Sequence, residues 1–144
     1  MRKLIFTLCM LLAISANAQE SKDNLKEKEA IQKCILNYIE NFFENNFDEM
    51  NRSLHPRLAK RGLGQNEIMS EDFPPEKLKE LMETKPPFSK KRQKNSVTDI
   101  KIFENMAMAS LATGYPNLRW KEFIHLVKMD GQWQIINVFW DFEG

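Results

Sequence analysis

Two histidines and two acidic residues are the side chains of this sequence best suited to acid–base chemistry. They are His55, His125, Glu122 and Asp141. Histidine titrates near neutral pH, so a histidine paired with a carboxylate can act as a general base. His55 is the candidate catalytic residue, because it lies between a predicted helix and a predicted strand.

Both histidines also have simpler interpretations. His55 precedes Pro56 at a tight junction, where its ring can satisfy a backbone group and stabilise the fold without any catalytic role. His125 lies three residues after Glu122 on one predicted strand, so the two side chains point to opposite faces. His125 is therefore expected to be structural or exposed to solvent.

The sequence gives no sign of a metal or a nucleotide cofactor. Two histidines on separate elements and scattered carboxylates do not have the spacing of a zinc site. There is no Gly-x-Gly-x-x-Gly motif and no Walker loop. We therefore predict no cofactor.

Large aromatic side chains are the other candidates for a functional site. They can line a pocket for a flat apolar ligand or simply fill the core. Trp120 and Glu122 share one face of a predicted strand and would form an amphiphilic patch. The residues predicted to contact a ligand are Tyr38, Phe42, His55, Trp120, Glu122 and Trp140.

The first 18 residues have the order of segments found in a secretory signal peptide. Arg2 and Lys3 precede the apolar run 4–14, and Ala16-Asn17-Ala18 supplies small residues for cleavage. The run is shorter than the ~20 residues of a membrane-spanning helix. We predict cleavage after Ala18 and a periplasmic or secreted protein; an uncleaved anchor is the alternative.

Residues 19–144 then form one predicted domain, large enough to bury a core. Without Arg2 and Lys3, 19 of the 21 basic residues remain beside 20 acidic ones. That balance favours neither nucleic acid nor an anionic membrane as a partner, and no stable membrane insertion is expected after cleavage. Cys34 is then the lone cysteine, which cannot form an internal disulfide and is expected to be buried.

Hydrophobic periodicity predicts helices in the first part of this domain. A stripe at three- and four-residue steps favours a long helix from Lys22 to Asn45, ended by the left-handed conformation of Asn45. Asn46 is a predicted cap of a short helix that continues to Ser53 and is stopped by Pro56. A short strand is expected at 57–63, and a further helix within 70–84, opened by Pro74 and Pro75.

The last third of the sequence has the pattern of a strand meander. Four strands are predicted, at 97–103, 106–113, 118–129 and 132–142, with Asp130-Gly131 forming a tight hairpin turn. Helices followed by strands indicate an α+β fold. On the last strand, strict alternation places Trp133, Ile135, Asn137 and Phe139 on one face. The other face is apolar too, so we expect a homodimer through the sheet.

Three segments together resemble the putative lumazine-binding family. They are Asn45–Leu63 with its Leu-His-Pro sequence, Glu122–Trp140 with its Asp-Gly-x-Trp hairpin, and the lead helix. That family belongs to the nuclear transport factor 2-like superfamily, with the SnoaL-like proteins and ketosteroid isomerases. The resemblance implies a cone-shaped, cystatin-like fold in which N-terminal helices pack on a curved, mostly antiparallel sheet around one pocket, often as a dimer.

Three functions are consistent with this reading. The first is an exported protein that holds a small apolar or aromatic molecule without catalysis. The second is a SnoaL-like isomerase, cyclase or dehydratase with His55 as base; steroid-isomerase chemistry is disfavoured, since Lys60–Leu63 lacks a carboxylate. The third is a protein-interaction module that uses an open sheet face.

Overall fold

A computed structural model of the protein describes the backbone of residues 2–64 and 66–144, and the side chains of 22–64 and 66–144. The chain divides into two compact units, Met1–Ala30 and Ile31–Gly144. The predicted signal peptide, residues 1–18, lies outside the described side chains. No helix among the described residues is long and apolar enough to cross a membrane.

The first helix ends, and the second helix begins, where the sequence indicates. Helix α1 (Arg2–Glu44) starts before the predicted Lys22, and Asn45 follows it with a φ of 58°. This left-handed residue confirms the predicted end of the helix. Helix α2 (Phe47–Asn51) is capped by the Asn46 side chain, which accepts a hydrogen bond from the Glu49 N–H.

Strand β1 (Leu54–Gly62) begins three residues earlier than predicted, so Pro56 lies within a strand and does not stop a helix. An edge strand tolerates proline because its outward-facing N–H groups need no partner, and β1 is at the edge of the sheet. Helix α3 (Pro75–Glu83) begins with proline at its first position, as predicted. A short 3-10 helix (Lys90–Arg92) interrupts the following loop.

The last four strands form the predicted meander. They are β2 (Ser96–Phe103), β3 (Met106–Tyr115), β4 (Leu118–Met129) and β5 (Gln132–Phe142). The strand order is β1-β5-β4-β3-β2; β1 and β5 are parallel and the other pairs are antiparallel. The α+β prediction is confirmed.

The core lies between the apolar stripe of α1 and one face of this sheet, here called the inner face. Ile31, Ile35 and Ile39 are completely buried on the helix. Leu111, Ile124 and Leu126 are buried on strands β3 and β4. The predicted helix stripe therefore packs as its periodicity indicated.

A β-bulge in β5 corrects the predicted alternation of that strand. On β4, the neighbouring residues His125 and Leu126 pair with Asn137 and Ile135 of β5. Ile136, between these two partners, is therefore an extra residue without a partner in register. Side chains on either side of a bulge change face relative to strict alternation. Trp133 and Val138 are consequently both buried, although the sequence pattern placed them on opposite faces.

Candidate functional site

An apolar pocket lies within the unit Ile31–Gly144, between α1, α3 and the strands. Its volume is about 360 Å³. Nine of its eleven lining residues are apolar or aromatic, and the other two are lysines. The lining residues are Phe42, Lys60, Phe73, Leu78, Leu81, Lys85, Tyr115, Leu118, Trp120, Trp140 and Phe142.

A buried polar cluster adjoins the pocket wall. The Glu122 carboxylate has no exposed surface, and its Oε1 lies 2.5 Å from the Nζ of Lys60. The same oxygen accepts a hydrogen bond of 3.0 Å from the indole N–H of Trp120. Glu122 Oε2 lies 3.0 Å from the Tyr38 hydroxyl, which donates to it. Three donors therefore bind this carboxylate, and their hydrogen bonds offset part of the free-energy cost of burying its charge.

Tyr38 joins the two charged members of the cluster. Its hydroxyl accepts from Lys60 Nζ at 2.6 Å while it donates to Glu122. Burial raises the pKa of the Tyr38 hydroxyl, and the adjacent Glu122 charge raises that pKa further. Tyr38 therefore stays protonated at neutral pH and acts as a fixed donor.

Lys85 is the second lysine of the pocket wall and follows helix α3. Its Nζ lies 3.1 Å from the centre of the Phe42 ring, within the range of a cation–π contact. Its backbone carbonyl accepts a hydrogen bond of 2.6 Å from the side chain of Asn45. Burial, together with the positive charge of Lys60, lowers the pKa of the Lys85 amine to about 7.

Gly62 lies behind another part of the wall. A Cβ at this position would overlap the backbone oxygen and the ring of Trp140. The absence of a side chain on β1 therefore lets the Trp140 indole lie directly against the strand. The Trp140 ring also contacts Phe142 edge-on at 5.2 Å.

The structure brings most of the predicted ligand-contacting residues together. Phe42, Trp120 and Trp140 line the pocket, and Tyr38 and Glu122 form the polar cluster beside it. Two lysines of the pocket wall, Lys60 and Lys85, were not among the predicted site residues. Lys60 was recognisable as a basic residue on a predicted strand, but nothing local indicated that it faces inward.

His55 is the predicted ligand-contacting residue that belongs neither to the pocket lining nor to the polar cluster. It is absent from the pocket lining, and its Nδ1 accepts a hydrogen bond of 3.0 Å from the Arg57 N–H. This contact matches the structural interpretation, in which the ring satisfies a backbone group next to Pro56. His125 is exposed on the opposite, outer face of the sheet, where its Nδ1 lies 3.0 Å from the Asn137 amide.

Replacing His55 with alanine should lower the free energy of unfolding by about 1 kcal/mol, the contribution of one hydrogen bond to a backbone group. Ligand affinity should be unchanged at temperatures well below melting, because His55 is not part of the pocket wall. Chemical denaturation and ligand titration of both proteins test this. Normal stability with abolished binding or turnover would contradict it and restore His55 as a functional residue.

A larger cavity of about 490 Å³ lies between α2, β1 and α3, away from the polar cluster. Its lining is rich in charged side chains, including Glu76, Lys79 and Glu80. Small-molecule sites are mostly apolar with a few convergent polar groups. The smaller aromatic pocket meets that description, and we therefore regard it as the candidate site. The described residues contain no group of side chains that could hold a metal.

Cys34 is partly buried on α1, close to its predicted environment. Its Sγ donates to the carbonyl oxygen of Trp133 at 3.3 Å. Burial raises the pKa of the thiol to about 11, so the reactive thiolate is scarce at neutral pH. The thiol therefore behaves as a small apolar group of the core.

The chain belongs to the family described as "Putative lumazine-binding", whose pattern matches residues 26–141. That match includes the end of α1, helices α2 and α3 and all of the sheet except the last residue of β5, and it contains every residue of the aromatic pocket except Phe142. The family resemblance drawn from the sequence is confirmed. Among curated proteins, none has a sequence that matches this chain.

Solved structures show the same fold at low sequence identity. A nuclear transport factor 2-like protein of unknown function from Shewanella baltica is 18% identical, with a TM-score of 0.73 over 83% of this chain and 96% of that one. A structure described as a putative scytalone dehydratase from Novosphingobium aromaticivorans is 16% identical, with a TM-score of 0.61 over 86% and 89%. The predicted nuclear transport factor 2-like fold is confirmed.

A third similar structure is a ketosteroid isomerase-like protein from Erwinia carotovora. It is 13% identical, has a TM-score of 0.62, and the match covers 81% of this chain and 95% of that one. Similarity at this level concerns the fold. The chemistry of this chain has to be argued from its own pocket.

Proposed function

We propose that this protein binds a small apolar or aromatic molecule in the aromatic pocket and does not catalyse a reaction on it. The observation that carries the proposal is the lining of that pocket, in which nine of eleven residues are apolar or aromatic. Such a wall favours a flat, weakly polar ligand through area burial and ring contacts. The family to which the chain belongs is itself described by ligand binding.

The state of the polar groups supports binding over catalysis. Glu122 is fully buried and already accepts hydrogen bonds from Tyr38, Lys60 and Trp120. A general base must come within hydrogen-bond reach of the proton that it removes. Glu122 would have to give up these partners first, and His55, the base in the SnoaL-like alternative, does not line the pocket.

The proposal is tested by filling the pocket. Leu81→Trp adds a large ring at a partly exposed lining position, whereas Met129→Trp adds the same ring at an exposed position outside the pocket. Native mass spectrometry of wild-type protein from its own host should reveal a co-purifying small molecule. Leu81→Trp should lose that molecule, and Met129→Trp should keep it.

Two results would contradict the proposal. Equal retention of the molecule by both tryptophan variants would place its binding elsewhere. Conversion of the bound molecule to a product by the purified protein would identify an enzyme.

Export is a further part of the proposal. The order of charged, apolar and small residues in the first 18 residues supports a signal peptide that is cleaved after Ala18. The intact mass of the protein recovered from the periplasm or medium should then correspond to residues 19–144. A mass that includes residues 1–18 would favour the anchor instead.

We also propose that the outer face of the sheet forms a homodimer. Phe103 pairs with Met106 across β2 and β3, and both side chains are more than half exposed. Met108 and Phe123 add two further exposed apolar groups. An apolar patch of this kind is typical of an interaction surface. Sedimentation of the wild type should give a dimer and that of Phe123→Glu a monomer; a monomeric wild type would contradict this.

A further inference from the structure

The charges around the aromatic pocket do not balance. Among the described residues of its wall, Lys60 and Lys85 are the two charged ones and none is a carboxylate. Glu122 lies beside the wall and compensates Lys60 through their 2.5 Å contact. The remaining amine, Lys85, is therefore the unmatched cation of the pocket.

Helix α1 and strands β1, β3 and β4 contribute to the part of the pocket that contains Lys85. Helix α1 contributes the rings of Phe42 and Phe43, whose centres lie 3.1 Å and 5.8 Å from the amine, and β1 contributes the positive charge of Lys60. Strand β3 contributes Tyr115 to the same pocket wall, and burial raises the pKa of its hydroxyl. On β4 the carboxylate of Glu122 is paired with Lys60. Among the described side chains no ion pair includes Lys85.

A positive amine in apolar surroundings is costly unless an anion offsets it. The Phe42 ring provides part of that compensation through its negative face. A carboxylate on the ligand would provide the rest, since it would add one negative charge beside an unmatched cation. A neutral ligand would leave the imbalance in place.

We infer that the ligand is an aromatic or apolar carboxylic acid, whose carboxylate binds Lys85 while its ring lies against the aromatic wall. This inference rests on the proposed binding function and specifies the ligand class of the same pocket. It also makes binding dependent on pH, because Lys85 must carry its proton to pair with the carboxylate.

The direction of this pH dependence follows from linkage. The pKa of Lys85 is lowered to about 7 in the free protein, and an anion beside it raises that pKa again. Below pH 7 the amine is already protonated, so the acid binds at full affinity. Above pH 7 a proton has to be taken up on binding, and the affinity falls by about tenfold for each pH unit until the pKa of the complex is reached.

A matched pair of probes tests the inference. 1-Naphthoate carries the carboxylate and 1-naphthamide is a neutral molecule of similar shape. Isothermal titration of the wild type with naphthoate should show binding up to roughly 30-fold weaker at pH 8.5 than at pH 6. Titrations at pH 8.5 in buffers of different ionisation enthalpy should show uptake of about one proton. Naphthamide should show neither effect.

Two variants assign the effect to Lys85. Lys85→Met should lower naphthoate affinity at pH 6 by about tenfold, the order of one charge-assisted contact, and remove the pH dependence. Lys85→Arg keeps a permanent charge, so naphthoate should bind it with little dependence on pH. Circular dichroism at each pH verifies that the variants are folded.

The outcomes separate the inference from the function on which it rests. Equal affinities for naphthoate and naphthamide at pH 6, or a pH dependence that survives in Lys85→Met, would overturn the inference alone. Failure of both probes to bind the wild type would contradict the aromatic-ligand function as well. The pH dependence of the wild type decides the question even if both variants fold poorly.

Discussion

Replacing Glu122 with glutamine should lower the free energy of unfolding by about 3–5 kcal/mol, because it leaves the Lys60 ammonium buried without a counter-ion. Lys60 is 8% exposed and Glu122 is not exposed, so solvent cannot replace the lost partner. Lys60→Met should have a cost of the same order, since the carboxylate is then uncompensated. Equilibrium unfolding in urea, followed by tryptophan fluorescence, measures both.

Combining the two changes should recover much of the lost stability. In Lys60→Met/Glu122→Leu neither charge remains, and an apolar pair in place of a buried ion pair is often neutral or even stabilising. The loss in the double variant should therefore be well below the sum of the single losses. Additive losses would show that the two residues stabilise the fold independently.

The chain contains a matched control for this experiment. Lys77 and Glu71 form a second lysine–glutamate pair at the same 2.5 Å distance, but both side chains are substantially exposed. Glu71→Gln should therefore cost much less than Glu122→Gln, because water solvates the remaining lysine. Equal costs at the two pairs would contradict burial as the cause.

Replacing Phe43 with alanine should lower the free energy of unfolding by about 3–5 kcal/mol, the cost typical of removing a buried phenylalanine. Phe43 is completely buried on α1. Its ring centre lies 5.1 Å from that of Tyr115 and 5.8 Å from those of Phe88 and Trp120. Removing it leaves a cavity and takes away edge contacts that stabilise aromatic pairs.

The same substitution should also weaken binding in the pocket. Tyr115 and Trp120 line the pocket, and Phe43 packs behind them. Phe43→Leu, which retains much of the volume, should show a smaller loss of stability. Ile68→Ala, at a largely exposed position outside the pocket, serves as the control. If Phe43→Ala lost no more stability than Ile68→Ala, the supporting role of the Phe43 ring would be contradicted.

Local patterns in the sequence were sufficient to predict most of the helices and strands and the fold class. The α1 stripe, the Asn45 terminus and the Asp130-Gly131 hairpin all depend on residues close together in the chain, and all three occur in the structure. The start of β1 was misplaced because Pro56 is compatible with an edge strand as well as with the end of a helix.

The contacts of the site depend on residues that are far apart in sequence. Glu122 and Lys60 are separated by 62 positions, and no local pattern specifies that their strands turn both side chains inward. The faces of β5 were not predictable from local sequence either. The extra residue Ile136 forms a bulge, and a bulge changes the face of a strand without a distinctive sequence signal. Lys85 precedes a lysine-rich segment that gives no local sign of burial, yet the fold places its amine over Phe42.

The close approach of the Trp140 indole to Gly62 has a consequence for ligand selection. Because the indole rests on bare backbone, any side chain at residue 62 would push it away from β1 and change the shape of the pocket. Gly62 itself does not line the pocket. A residue outside the pocket lining therefore helps to determine the width of the pocket, and the largest ring that the space can hold depends on the strand behind it.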